Sequence, residues 1–576
     1  MQNPYFKLLK EYCDRLLTFQ LKLDDPAFFG GLICPACGLI HGRIGDAVYP
    51  MLTVAEVTGD SRYITAARDL FYWTEKNMKQ CDKTVANDFG NDWRGITVFS
   101  AISLAEALHY HGHLLDDQTR RDFEIRLREE TDAVSRYLPI IDPAVNYIVA
   151  LPALLALCHT VLHDEIYAEK ARLFMNDVYD RLTESKFFFG EGHPTKAVSK
   201  KGCRSVDIGY NFEESIPSVA LYARLMKDEK AWGLGREMLW RHLDFILPDG
   251  GLDNSFGARM AKWTYWGSRT SDGALTALAL YADEAPEFQE AAARCFSILK
   301  DCSKDGLLYG GPQYAETGQR PCLHHTFCHA KELAFLVDEH FEPQPARCQL
   351  PADRDGFYRF YPELSVALTR VGNWRASISG YDYPLPINNY STGGAMTLLY
   401  HDLYGVIFSA SMPRYVIVEP NNMQYPTDRD FMCATPRIEK EIDGRVFTNI
   451  YDRAVSLEIS DHQNYHAVGY LRSEGGEKGP KYEIEYRLTP QAVTVIFVCS
   501  EEATVILPIA APTKSEVEML SSSIKFFGKS GTLKLCANAP FEVLKRNFNP
   551  VGGFETRPVK LSLKAEKELK VVLGEQ

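Results

Sequence analysis

The chain has 576 residues, 45% of them hydrophobic and 24% charged, the composition of a globular protein and too long for one core. A net charge of −13 at pH 7 argues against nucleic acid or an anionic membrane as the main partner, because phosphate contacts need a basic face. It leaves room for a small anionic substrate held by a few local arginines.

Residues 4–22 carry apolar positions at helical spacing and predict a first amphipathic helix. The same opening stretch shows no basic segment followed by an apolar one, and no run of about eighteen apolar residues is expected to cross a membrane. As the sequence stands it reads as cytoplasmic, or as periplasmic or secreted if a leader has been removed. A turn-rich stretch with Pro26, Gly30, Gly31 and Pro35 follows and carries Cys34 and Cys37 as CPAC. The other cysteines of the fourteen are scattered singly, which fits reduced thiols. With no second ligand pair nearby in sequence, CPAC reads as packing thiols rather than half a zinc site.

A nearly all-apolar helix is predicted over about 42–58, stopped by Gly59, and a charge-rich one follows, capped by Asp60. The pairing repeats as 94–111 with 117–138, 145–162 with 164–184, 212–226 with 229–246, and 270–283 with 286–302. A last apolar helix, 325–338, has no partner after it, and the helix at 4–22 can supply one. Apolar helices alternating with half-wet ones predict an (α/α)6 toroid over residues 1–345, with inner helices covered on both sides. Six polar or aromatic clusters sit at the starts of the apolar runs: His41/Arg43, Trp93/Arg94, Asn146/Tyr147, Tyr210/Asn211, Tyr265/Trp266/Arg269 and His324/His325. In a ring these starts converge on one mouth. Two long connections, 185–208 and 247–268, are expected to be functional or mobile. The second, with Asn254, Arg259, Lys262, Trp263, Tyr265 and Trp266, should cover a ligand or pack on another domain.

From residue 346 to 576 the period changes to short, alternating, β-branched runs separated by Gly, Pro, Asn and Asp, such as YEIEYRLT and AVTVIFV. This half predicts a large antiparallel β-sandwich domain, one layer of which packs on the toroid. Multidomain α+β is therefore the expected class.

Within this half, RVGNWRASISGYDYPLPINNYSTGGAMTLLYHD places Arg370 and Trp374 before an Asn-rich, Gly-containing turn (Asn388, Asn389, Gly393, Gly394) and an aromatic strand with Tyr400. Together with the toroid this resembles the polysaccharide lyases related to chondroitin AC lyase, hyaluronate lyase and heparinases II and III. The Asn-Tyr-His order of some of those lyases is absent around Asn146 and Tyr147. The resemblance implies β-elimination in a uronic-acid glycan, glucuronate in the first instance, with an acidic polysaccharide or oligosaccharide as partner. No cofactor is called for, and a divalent metal stays open.

That chemistry needs a base, an acid and a group that neutralises the uronate carboxylate. The catalytic candidates are Tyr210, Tyr265, His325, Asn211 and Arg259, on the argument that a tyrosine beside an arginine can have a depressed pKa. Substrate-binding candidates are His41, Trp93, Asn146, Tyr147, Glu214, Trp266, Arg269, His324 and Asn389. Against each stands a plain structural reading: tyrosines bonded at a helix start, asparagines as caps, tryptophans in the core. His324, His325 and His329 could also hold a metal. The principal rival is glycoside hydrolysis on the same toroid, which Asp88, Asp92, Asp207, Glu213, Glu214 and Asp272 leave open. A non-catalytic glycan-binding protein is the third reading.

Overall fold

Two kinds of helix alternate through the first half, and burial separates them. The computed structural model describes residues 3–344, 346–386, 389–416, 432–512, 517–520, 523–528 and 530–575, so Asn388 lies outside the described residues. The helices are α1 (Pro4–Leu17), α2 (Val48–Thr58), α3 (Ser61–Asn77), α4 (Thr97–His111), α5 (Asp117–Ile141), α6 (Val145–Leu162), α7 (Glu165–Tyr179), α8 (Ile208–Tyr210), α9 (Ile216–Met226), α10 (Glu229–His242), α11 (Leu275–Leu280), α12 (Pro286–Asp301) and α13 (Leu323–Asp338). In α4 every residue from Thr97 to Leu108 is buried, and in α6 every residue from Ile148 to Cys158. Outer α3 and α5 instead bury one stripe, Phe123, Leu127, Val134 and Leu138 in α5, at the three-to-four spacing of a one-sided helix.

The inner helices α2, α4, α6, α9, α11 and α13 each pack on the next, and α13 returns to α2. Outer α1 packs on α13, so the two ends of the region close the ring. Asn3 helps to fix this seam: its side chain caps α1 by accepting from the Tyr5 amide at 2.9 Å and donates to the Phe341 carbonyl at 2.9 Å.

Three expectations need correction. The apolar run predicted over 42–58 opens as a 3-10 turn, Gly42–Ala47, because Gly42 lies against the Ala86 and Asn87 carbonyls where no Cβ fits. The run predicted from 212 starts at Ile208 and passes through a π turn, Asn211–Ser215, of the kind often found at functional sites. Finally, α6 is long and apolar enough to cross a membrane, with 18 residues at mean hydropathy 1.9. Its apolarity has another origin, since α4, α7 and α9 surround it.

The second half holds two large antiparallel sheets. The first runs in sequence order through 358–361, 366–371, 374–379, 395–401 and 405–409. Its three middle strands are buried throughout because both faces are covered. The period of two sorts the side chains: Val366, Leu368, Leu398 and Tyr400 join the toroid core, whereas Ala367, Trp374, Ala376 and Leu399 join the core shared with the second sheet, and a register shift between Met396 and Leu398 turns Met396 to the second core as well. That larger sheet has one wet face, seen in the alternating burial of Asn464–Ser473 and Lys478–Leu488.

Most of the segment around Arg370 to Tyr400 therefore joins domains rather than meeting a ligand. Arg370 pairs with Asp402, and Trp374 fills the space between the sheets. Arg375 reaches into the toroid, where its buried guanidinium donates to the carbonyls of Asp244 and, at 2.6 Å, Ile246. Arg375→Met would strand both carbonyls and should lower stability by about 2–4 kcal/mol in denaturant unfolding. A change within about 0.5 kcal/mol would show that this clamp contributes nothing.

Candidate active site

The starts of α4, α6, α8 and α13 surround a cavity of about 440 Å³ together with both long loops and Leu385, Pro386 and Asn389 of the β-domain. Arg43, Trp93, Asn146, Tyr147, His193, Tyr210, Arg259, Lys262, Thr270, His324 and Asn389 face it. Among the described residues lining it there is no aspartate or glutamate. A chain of net charge −13 thus keeps a cationic pocket.

Tyr210 is placed by the turn that begins its helix. The Asp207 side chain caps that turn, accepting from the Tyr210 amide at 3.2 Å and from Asn254 Nδ2 at 2.9 Å. The Tyr210 hydroxyl meets the Thr270 hydroxyl, which also accepts from Lys262 Nζ at 3.3 Å. The Arg259 guanidinium lies 4.6 Å from the Tyr210 ring centroid and donates to Glu191 Oε2 at 2.5 Å. Glu191 in turn accepts from the Asn146 amide at 3.1 Å, so one buried carboxylate fixes both Arg259 and the start of α6. Asn146 Oδ1 is buried without a partner. Trp93 donates to the Tyr147 hydroxyl at 3.0 Å on the next wall. Asn389, from the β-domain, closes the side opposite the inner helices by leaning on the Ala258 carbonyl at 3.5 Å.

Arg43 anchors the floor. It donates to the Thr270 carbonyl at 2.8 Å and pairs with Asp46 at 2.6 Å and Asp272 at 3.1 Å, while Lys331 binds the same two carboxylates. Burial pushes Tyr210 well above the usual tyrosine range despite Arg259, which corrects the expectation of a depressed pKa. Lys262 moves the other way: burial, reinforced by Arg259, Arg269 and Arg43, lowers it to about 7. Burial also holds His324 far below its ordinary value, so it is neutral at neutral pH.

Of the sequence candidates, Tyr210, Arg259, Trp93, Asn146, Tyr147, His324 and Asn389 meet in this cavity. The others do not line it. Tyr265 donates to Asp249 and packs on Phe554 of the β-domain, away from the cavity. Trp266 donates to the Tyr309 carbonyl at 2.6 Å and covers His325 and His329. His325 is buried beneath it with Nδ1 on the Leu308 carbonyl, and Arg269 donates to the Pro550 carbonyl at 2.7 Å, tying the two domains. Asn211 is spent on both backbone groups of Phe188 and on the Asp207 carbonyl. Glu214 accepts from the Asp272 amide at 2.7 Å, and His41 lies behind His324, bonded to Asp88 at 2.6 Å. Among the described residues, His325 and His329 belong to no metal-ligand group.

Sequence reasoning passed over His193, Thr270 and Glu191, and named Lys262 only as part of the loop expected to cover a ligand or pack on another domain. His193 stands in the 185–208 loop as an exposed side chain, and its signal was a histidine between glycine and proline in a connection too long to be a simple turn. Thr270 carried no signal that its residue type could give.

Residues 9–354 match the family model described as the ulvan lyase N-terminal domain, and residues 358–574 match the ulvan lyase C-terminal domain. Over 603 aligned residues the chain is 36% identical to a broad-specificity ulvan lyase of Formosa agariphila, covering 100% of this chain and 94% of that protein. Among solved structures it is similar to a chondroitin AC lyase of Streptomyces coelicolor A3 in complex with chondroitin sulphate, at TM-score 0.56 and 12% identity, over 99% of this chain and 79% of that one. A Paenibacillus xanthan lyase matches at TM-score 0.59 and 10% identity, over 99% of this chain and 57% of the other. These two likenesses show a shared fold. The matches to both halves and the 36% relative show that the chain belongs to the ulvan lyase family and is a polysaccharide lyase, a carbon–oxygen lyase with a toroid and a β-domain.

Proposed function

We propose that this lyase cuts ulvan by β-elimination at a uronate residue, leaving an unsaturated uronate at the new chain end, with His193 and Tyr210 moving the protons. One observation carries the reading: the cavity offers cations, amides, imidazoles and phenols but, among its described lining residues, no carboxylate. Hydrolysis of a glycoside ordinarily needs two carboxyl groups across the bond. The acids that kept hydrolysis open are engaged elsewhere: Asp88 with His41, Asp207 as a cap, Glu213 with the Ser268 amide and Ser271, Glu214 with the Asp272 amide, and Asp272 with Arg43 and Lys331. Asp92 is exposed at the surface, 3.9 Å from Arg94.

Elimination removes the weakly acidic proton at C5 and expels the oxygen at C4. As the proton leaves, further negative charge develops on the C5 carboxylate and must be neutralised, and the Asn146 side-chain amide with the Arg259 and Lys262 cations supplies that stabilisation from fixed positions. His193, exposed at the cavity's edge, takes the C5 proton. Tyr210 is protonated at working pH and gives its proton to the departing oxygen. Arg259 above the ring steadies the tyrosinate, and the hydrogen-bonded chain through Thr270 returns a proton from Lys262.

Product formation read as ultraviolet absorbance of the conjugated uronate tests these roles. Tyr210→Phe and His193→Ala should each lower kcat by ~10²–10⁴-fold, while Tyr265→Phe should stay near native. Near-native turnover in both of the first two variants, or depolymerisation of ulvan without the absorbance, would contradict the reading.

Lys262 gives a pH dependence whose sign is set. Its folded pKa is lowered to about 7, so its positive charge is present below that pH and lost above it. KM for the acidic polymer should therefore rise between about pH 6 and pH 8. Lys262→Met should show a higher and flatter KM. An unchanged profile in that variant would remove Lys262 from carboxylate binding.

A further inference from the structure

We propose that Cys34, Cys37, His41 and Cys322 form a tetrahedral structural site for Zn²⁺ behind the His324 wall of the cavity. CPAC lacked a second ligand pair when neighbours in sequence were considered, and the closed ring supplies one from opposite ends of the toroid. Cys34 Sγ lies 3.7 Å from Cys322 Sγ, and His41 Nε2 lies 3.3 Å from Cys37 Sγ and 3.5 Å from Cys322 Sγ. The ligand atoms of Cys34, Cys37 and His41 all lie within 4.8 Å of one another. With zinc–sulfur bonds of ~2.3 Å and zinc–nitrogen bonds of ~2.05 Å, a tetrahedron has edges of ~3.8 Å between sulfurs and ~3.6 Å between sulfur and nitrogen. The three observed spacings, 3.7 Å between sulfurs and 3.3 and 3.5 Å between sulfur and nitrogen, come close to those edges.

The surroundings fit a closed, structural ion. Cys34, His41 and Cys322 are buried, and three thiolates with one imidazole suit zinc in both softness and geometry. His41 Nδ1 is held at 2.6 Å by Asp88 Oδ1, which fixes the tautomer with Nε2 turned to the thiols, the carboxylate–histidine arrangement that supports zinc ligands. A tight hairpin presents the first two thiols: Ile33 bridges to Ile40, Gly38 N donates to Cys34 O at 2.9 Å, and Gly38 adopts φ +71° in the left-handed region. Cys322 stands immediately before α13, and His324 Nδ1 is 3.3 Å from its sulfur. A bound ion would therefore join the 33–41 hairpin, the Asp88 turn and the start of α13, and hold the His324 face of the cavity in place.

The test is metal analysis of the intact protein purified from zinc-replete cells, followed by Co²⁺ exchange. The proposal expects one zinc per chain, released when the thiols are modified, and a cobalt form with thiolate charge-transfer and tetrahedral ligand-field absorption. Cys37→Ser, altering the partly exposed ligand, should weaken zinc retention against a chelator by more than ~tenfold, and Asp88→Asn by ~10–100-fold. Cys81→Ser, at an exposed thiol outside the cluster, should retain zinc as the native chain does. Substoichiometric zinc with no cobalt–thiolate band in the native protein, or a native disulfide joining Cys34 to Cys37 or Cys322, would overturn the site.

Discussion

Closure of the helix ring is the contact on which the rest depends. Helices such as α4 and α6 are apolar on every side and can be stable in water only when neighbours cover all of them. The packing of α1 on α13, and of α13 on α2, removes the last open edge. The same closure brings helix starts from residues 43, 146, 210 and 324 to one mouth, where side chains remote in sequence become neighbours. The geometry of the cavity is in this sense a by-product of hiding the inner helices.

The second constraint is charge. Burying Arg43, Arg259 and Lys262 together is costly unless each is paired or made neutral. The protein does both. Asp46 and Asp272 sit beneath Arg43, and Glu191 holds Arg259 from the side away from the sugar space, so these anions compensate the cations without lining the cavity. Lys262 is moved toward neutrality instead, to about 7. Under the proposed function, a site arranged this way would attract a polyanion and stabilise charge that develops at C5, although the whole chain is acidic.

The toroid, the sandwich and the packing of one sheet layer on the ring were legible because period and burial leave a direct record in sequence. The run at 145–162 is apolar at every turn, and Val366 to Val371 is buried on both faces for an equally simple reason. Site residues were legible when they stood at helix starts, as Asn146, Tyr147 and Tyr210 do. In loops they were legible only by residue type, as Arg259 and Asn389 were, because orientation there is set by tertiary contacts. Tyr265 and Arg259 share one loop, yet Asp249 and Phe554 hold the tyrosine while Glu191 turns the arginine to the cavity. His193 lies in a loop with no period to read. Cys322 joins the CPAC hairpin across the ring seam, a proximity that spacing along the chain cannot reveal.

The account rests on a uronate entering this cavity with its carboxylate toward Asn146 and the cations. A crystal structure of the Tyr210→Phe protein with an ulvan oligosaccharide tests that directly. The predicted result places the uronate carboxylate within hydrogen-bond reach of Asn146 and of Arg259 or Lys262, with C5–H facing His193 and the C4 oxygen facing position 210. A sugar bound outside the cavity, or a carboxylate turned away from Asn146 and both cations, would contradict it.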